Sequence, residues 1–264
     1  MLAGTAVGVV VVLVLVLVIV KALAPAKKNA VTTNAASAVA TAVATVPAST
    51  FDAVGLGTPN NLPTPITGQP ALTAGGKPLV LYVGGEFCPY CAAERWALAA
   101  ALSRFGTFSN LQQTASSEND VFPGTQTLSF HGATYTSDYV AFQGVEAEDV
   151  NQQQLQPLTA AQQATFTKYN SPPFVPQGAA GAFPFIDFGN IAVQNGASYD
   201  AGLLQGMSGE DIANALHDPT SPVAKAAIGT ANAFTTLICK MTGGKPADVC
   251  TSAGATAYQG KYGG

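Results

Sequence analysis

The chain has 264 residues, 10% of them charged, and a net charge of −4. Beyond Lys28 acidic residues outnumber Lys and Arg by 15 to 8. That balance argues against a nucleic-acid partner, which requires a clustered basic face.

Residues Ala3 to Val20 carry no charge and are dominated by Val and Leu. With Leu23 the run reaches the ~20 residues a helix needs to cross a bilayer. Residues 1–24 are therefore expected to form a single transmembrane anchor. A cleaved signal peptide is the competing reading, because Ala22-Leu23-Ala24 has the form of a small-residue cleavage site. The long apolar run, the missing basic n-region and Pro25 directly after that point favour the anchor. Lys21, Lys27 and Lys28 lie only on its C-terminal side, which by the positive-inside tendency would hold the domain in the cytoplasm. The Ala/Thr/Val/Ser stretch from Ala30 to Thr50 and the four cysteines argue the opposite, since disulfides persist in oxidising compartments. The expectation is a single-pass cell-membrane protein with its soluble part outside the cytoplasm.

Residues 25–76 read as a linker that becomes ordered packing near the domain edge, with Pro59, Pro63, Pro65 and Pro70 breaking any regular element. The folded domain is expected over residues 77–264, with a core that ends near Cys250 and a flexible tail. Its first strand is Leu79–Val83. A Gly84–Phe87 connector follows, and Cys88-Pro89-Tyr90-Cys91 opens a helix reaching Phe105, with Leu98, Leu102 and Phe105 on one face. At a helix start, unpaired N–H groups and the positive end of the dipole stabilise a thiolate on the first cysteine. Pro89 fits the first turn, where its missing N–H costs nothing. Two intervening residues bring both sulfurs within reach of a disulfide. The pattern points to thiol–disulfide chemistry. A zinc site would call for a second close-spaced pair, and Cys239 and Cys250 are too far apart in sequence to supply one.

Further on, β-rich runs are expected at Thr127–Phe130 and Tyr139–Phe142. Thr159-Ala160-Ala161-Gln162 has capping-box form and starts a short helix ending at Ser171-Pro172-Pro173. Phe185–Phe188 and Ile191–Val193 flank Gly189-Asn190 as a hairpin. Ser208 caps a helix to Leu216, and Ser221-Pro222 begins a long one reaching Lys240. Gly243-Gly244 and Pro246 then turn the chain back, so Cys239 and Cys250 are expected to form a structural disulfide.

This order of strand, dithiol helix, strand, helical insertion, hairpin and helix resembles the thioredoxin-like superfamily. More narrowly, four stretches resemble a prokaryotic group, the domain-of-unknown-function family 929: Cys88 to Trp96, Leu102 to Phe108, Ser129-Phe130 through Tyr135-Thr136-Ser137, and Phe185-Ile186-Asp187-Phe188. The resemblance implies an α/β, thioredoxin-like fold with a helical insertion. It implies that Pro184 is a cis-proline facing the dithiol, Cys88 the attacking thiolate and Cys91 the resolving thiol. Cys-Pro-Tyr-Cys is also seen in glutaredoxins, but the segment before Pro184 is far longer than in a minimal glutaredoxin. No glutathione-binding signature follows the hairpin.

The implied activity is that of a membrane-anchored thiol–disulfide oxidoreductase acting on protein thiols or disulfides, with a membrane redox partner and without cofactor or metal. A non-catalytic binding module, or a module handling copper(I) through Cys88 and Cys91, is the alternative. Glu86 reads as a solvated loop carboxylate, and Glu94 and Arg95 as an exposed helix face. Tyr90 and Trp96 read as an aromatic wall or as core. Ser208 lacks the spacing of a hydrolase elbow and is explained as a helix cap. His131 and His217 read as surface or cap residues.

Overall fold

The computed structural model describes residues 33–263; the expected span over residues 1–24 lies outside them. Among the described residues no helix is long and apolar enough to cross a membrane. The architecture is mixed α/β. Strand β3 (Lys77–Gly85) is central because its Leu and Val residues supply apolar side chains to both faces of the sheet. It pairs in parallel with β8 (Ala141–Glu148) and antiparallel with β9 (Phe185–Phe188). Gly189 and Asn190, both at positive φ, turn β9 into β10 (Ala192–Asn195), and β1 (Thr64–Pro65) adds on the outer edge. Strand β2 (Thr73–Ala74) pairs only with the start of β3. Two small two-stranded sheets join β4 (Thr107–Ser109) to β7 (Thr134–Thr136) and β5 (Gln112–Ala115) to β6 (Gln126–Ser129).

The helices are α1 (Thr33–Ala44), α2 (Ala48–Val54), α3 (Pro89–Ser103), α4 (Ala160–Tyr169), α5 (Gly209–Ala215) and α6 (Pro222–Met241). Three short ones, α7 (Ala247–Cys250), α8 (Ala253–Thr256) and α9 (Gln259–Tyr262), end the chain. Strand alternation divides the apolar side chains. Val80, Tyr82, Ile186 and Phe188 face α3 and α6, whereas Leu81, Val83, Phe185 and Val193 face Tyr169 of α4 and Val175. Helix α3 is Ala-rich and buried on nearly every side. A helix this apolar belongs inside a protein, where small side chains let its neighbours approach closely.

The expected linker is a correction. Residues 33–76 form α1, α2, β1 and β2, and they bury Val39, Val43, Phe51 and Ile66. Val39 and Val43, four residues apart, line one stripe of α1, so sparse charge signalled burial there rather than solvation. Buried Asn232 of α6 donates from Nδ2 to Phe51 O (2.8 Å), which also accepts from Gly55 N, and to Gly55 O (2.7 Å), tying the end of α2 to α6. At Gly57 a Cβ would stand 2.0 Å from Lys225 O, so only glycine lets this strap lie against α6.

The expected flexible tail is a second correction. Cys239 and Cys250 are disulfide-bonded with their Cα atoms 5.5 Å apart, and Tyr258 and Tyr262 are buried. Their hydroxyls donate to Leu56 O (2.5 Å) and Pro63 O (3.1 Å). Proline-rich chain and tail thus fix one another through hydrogen bonds that no periodicity announces. Strand β8 also runs past the expected Phe142 to Glu148, because pairing with β3 outweighs the poor strand propensity of its Gly and Glu.

Phe51→Ala is expected to destabilise the protein by about 3–5 kcal/mol, the usual cost of emptying a buried aromatic site. Urea denaturation measures it; an unchanged midpoint would return residues 48–54 to the status of a linker.

Candidate functional site

Strand β3 ends in Gly84 and Gly85, where its register against β8 shifts. A Cβ on Gly84 would meet Tyr82 Oη at 2.2 Å and Cys91 Sγ at 3.1 Å, so this turn admits glycine alone. Glu86 N donates to Glu148 O (2.8 Å), and Cys88 N to Gly85 O (3.3 Å). These bonds deliver Cys88 to the N-cap of α3, with Pro89 in the first turn. The Cys88 sulfur takes the place of a capping oxygen, accepting from Cys91 N at 3.4 Å.

Both cysteines are thiols, but they are not equivalent: Cys88 keeps 7% of its surface exposed and Cys91 none. The Cys91 thiol donates to Cys88 and brings the Cys88 pKa down to about 7. The Cys91 N–H, the Arg95 charge and the Tyr90 N–H act in the same direction against burial. Burial first, then the neighbouring Cys88, pushes Cys91 well above the usual thiol range. Cys88 is thus the more acidic of the two sulfurs.

Beneath them lies a buried ion pair. Arg95, one turn beyond Cys91, donates from Nε to Glu146 Oε1 (2.8 Å) and from Nη2 to Oε2 (2.6 Å). Nη2 also donates to Gly85 O (2.8 Å), and both side chains are fully inaccessible. Its guanidinium carbon stands 5.9 Å from the centre of the Tyr82 ring. The expected exposed face is therefore wrong for Arg95. Glu94 is also buried, accepting from Ser198 N and Oγ at 2.7 Å each, and burial raises its pKa to about 7. The reason is common to both: α3 is enclosed all round, so even its ionic groups must find partners inside.

The other candidates separate. Trp96 is core, donating from Nε1 to Gln126 O at 3.1 Å. Tyr90 is 42% exposed and meets Phe122 edge to face, with ring centres 6.1 Å apart. Glu86 is half-buried and accepts from Ser129 Oγ at 2.5 Å, so it is more constrained than a solvated carboxylate. The Phe183–Pro184 peptide is cis, and Pro184 directly precedes β9. Phe185 pairs with Val83; continued by one residue, that register sets Pro184 opposite Gly84, which borders Cys91. Ser208 forms a capping box with Asp211, His131 is exposed, and His217 Nε2 lies 2.8 Å from Ala42 O. Among the described residues, no group of three or more His, Cys, Asp or Glu side chains is arranged to hold a metal ion.

Residues 67–240 match the family described as Domain of unknown function (DUF929). The chain belongs to that family. The DUF929 match takes in the dithiol, the ion pair and Pro184, and it ends between Cys239 and Cys250. No curated protein and no solved structure matches the chain. Sequence reasoning missed Tyr82, Glu146 and Ser198 as members of this site. A usable signal was the charged pair Glu94-Arg95, one turn beyond Cys91, on a helix with no other charge, since charges enclosed there demand buried partners.

Brief alkylation of the reduced protein is expected to label Cys88 with an apparent pKa of about 7 and to spare Cys91. Mass spectrometry reads the result, and preferential labelling of Cys91 contradicts the assignment. A second expectation concerns stability. Burial raises Glu94 from 4.5 and Asp187 from 3.8, each to about 7. The folded protein then holds protons that the unfolded chain has released, so this stabilisation is complete below the unfolded pKa values and is lost as pH rises to about 7. Urea midpoints at acidic and mildly alkaline pH should differ less in Asp187→Asn than in wild type; equal differences would refute the linkage.

Proposed function

We propose that this chain is a membrane-anchored thiol–disulfide oxidoreductase on a thioredoxin-like scaffold, acting outside the cytoplasm on protein thiols and disulfides. The observation that carries the reading is the asymmetry of the pair. A thiol lowered to about 7 caps the dithiol helix, and a fully buried thiol with a raised pKa stands three residues behind it. The scaffold reading is supported by the parallel β3–β8 pair, the antiparallel β9–β10 hairpin and the cis proline leading into β9. The compartment reading is supported by the Cys239–Cys250 bond and the apolar run at residues 3–20. An integral-membrane redox protein is the natural partner for returning the pair to its starting state.

Such an enzyme works in two exchanges. The Cys88 thiolate attacks one sulfur of a substrate disulfide. A Cys88–substrate bond forms, the substrate bond breaks, and the departing sulfur takes a proton from solvent. Cys91 then attacks Cys88, closes the Cys88–Cys91 disulfide and releases the second substrate thiol. Substrate is reduced by two electrons and the pair is oxidised by two; run backwards, the same steps deliver a disulfide outward.

Turnover of a disulfide-bonded test protein with dithiothreitol as donor is expected to vanish in Cys88→Ser. Cys91→Ser should accumulate a mixed disulfide that non-reducing electrophoresis resolves. Cys88→Ser protein indistinguishable from wild type would leave Cys88–Cys91 as a turn-stiffening bond on a binding module.

A further inference from the structure

Two buried donors at the dithiol have no partner among the described residues: Tyr82 Oη and Arg95 Nη1. An orphaned buried donor is costly, and native proteins tolerate few of them. Here both belong to side chains set about Cys91. Tyr82 Oη and Cys91 Sγ border the same small space above Gly84, where a Cβ would lie 2.2 Å from one and 3.1 Å from the other. Arg95 follows Cys91 by one helical turn, and Glu146 and Gly85 O fix its other nitrogens, leaving Nη1 as the unused arm. Glu146 anchors the guanidinium from β8, and no second cation appears in the ion pair.

We propose that Tyr82 and Arg95 are positioning residues whose free donors hold negative charge on the Cys91 sulfur during exchange, an inference that rests on the oxidoreductase reading. A neutral thiol is a weak acceptor and leaves these donors nearly idle; a sulfur carrying charge engages them fully. In the resolving step Cys91 attacks Cys88 of the mixed disulfide. The Cys88–substrate bond breaks, the Cys88–Cys91 bond forms, and the Cys91 proton ends on the departing substrate sulfur. Negative charge is spread over three sulfurs in a row, and Cys91 is the buried end of that row. In the reverse direction Cys91 is the leaving group and carries the charge outright.

Tyr82 keeps its own proton throughout, because burial first of all pushes its hydroxyl well above the ordinary phenol range. It therefore acts as a donor and not as a base. In the reduced protein the Cys91 thiol donates to Cys88, and the Tyr82 hydroxyl is left unbonded. The outer sulfur draws its hydrogen bonds from the Cys91 thiol and from the backbone N–H groups of Cys91 and Tyr90, so the Tyr82 hydroxyl is left for the inner one.

Single-turnover reaction of the reduced full chain with dithiobis(nitrobenzoate) tests this directly. The first release of thionitrobenzoate reports attack by Cys88, and the second reports resolution by Cys91. In Tyr82→Phe the second phase is expected to slow about tenfold, the worth of one hydrogen bond to a charged group, with a smaller effect on the first. The lost hydroxyl has no other partner, so the melting temperature should hold. Arg95→Lys keeps a cation for Glu146 and removes Nη1; it should slow the same phase and carries the test if the phenylalanine variant does not fold. A second phase within twofold of wild type in the folded variants overturns the proposal. The assay needs no substrate protein, so a wild type that resolves normally yet turns over no disulfide protein counts against the oxidoreductase reading alone.

Discussion

The Arg95–Glu146 ion pair is the constraint around which the rest of this site is arranged. Two charges stripped of water are tolerable only when bonded to each other and to further polar groups, and removing one partner typically costs about 3–5 kcal/mol. Here the fork of Arg95 spans the helix that carries the dithiol and the parallel strand beside it, with further bonds to Gly85 O and from Phe130 N. The pair therefore fixes α3 in depth and rotation against β3 and β8. It also sets a fixed positive charge beneath two sulfurs, where the low dielectric lets it act strongly.

Around that pair the chain uses small residues to gain closeness and tyrosines to fix polarity. Gly84 leaves the space that Tyr82 and Cys91 share, and the alanines of α3 allow α6 to lie flat against it. Tyr199 donates to Ala93 O (2.6 Å) and Tyr135 to Leu102 O (2.9 Å), so each end of α3 is tied from outside by a phenol. A helix with little charge and few large side chains is thereby held to one orientation without a large aromatic core of its own. Trp96 is the exception, and even its indole N–H is spent on β6.

The dithiol, its strand–turn–helix setting and the hairpin after Pro184 were legible in the sequence because each rests on local rules: alternation, a helix cap and turn glycines. The ion pair was not legible, since Glu146 lies 51 positions from Arg95 and nothing local announces the meeting. Residues 33–76 were misjudged for a related reason. Alanine, threonine and proline suit a tether as well as a packed strap, and what decides between them is the receiving surface, on α3 and α5 for α1 and on α6 for α2. The tail was misjudged likewise, because Tyr258 and Tyr262 are anchored by carbonyls of the segment taken for a linker.

That mutual anchoring changes where the boundaries of this molecule lie. The segment matching DUF929 stops at Lys240 and starts at Thr67, yet α6 is covered on its outer side by α2, α8 and α9. A fragment cut at the family limits would uncover the Ala- and Leu-rich α3, on which α1 packs, and the outer face of α6 around Gly229, Asn232 and Thr236. The cooperative body is thus wider than the shared segment, and its outermost pieces act as a clasp that closes one half of the core. Excised at those limits, the domain would be expected to stick to its own copies before any chemistry at Cys88 could be observed.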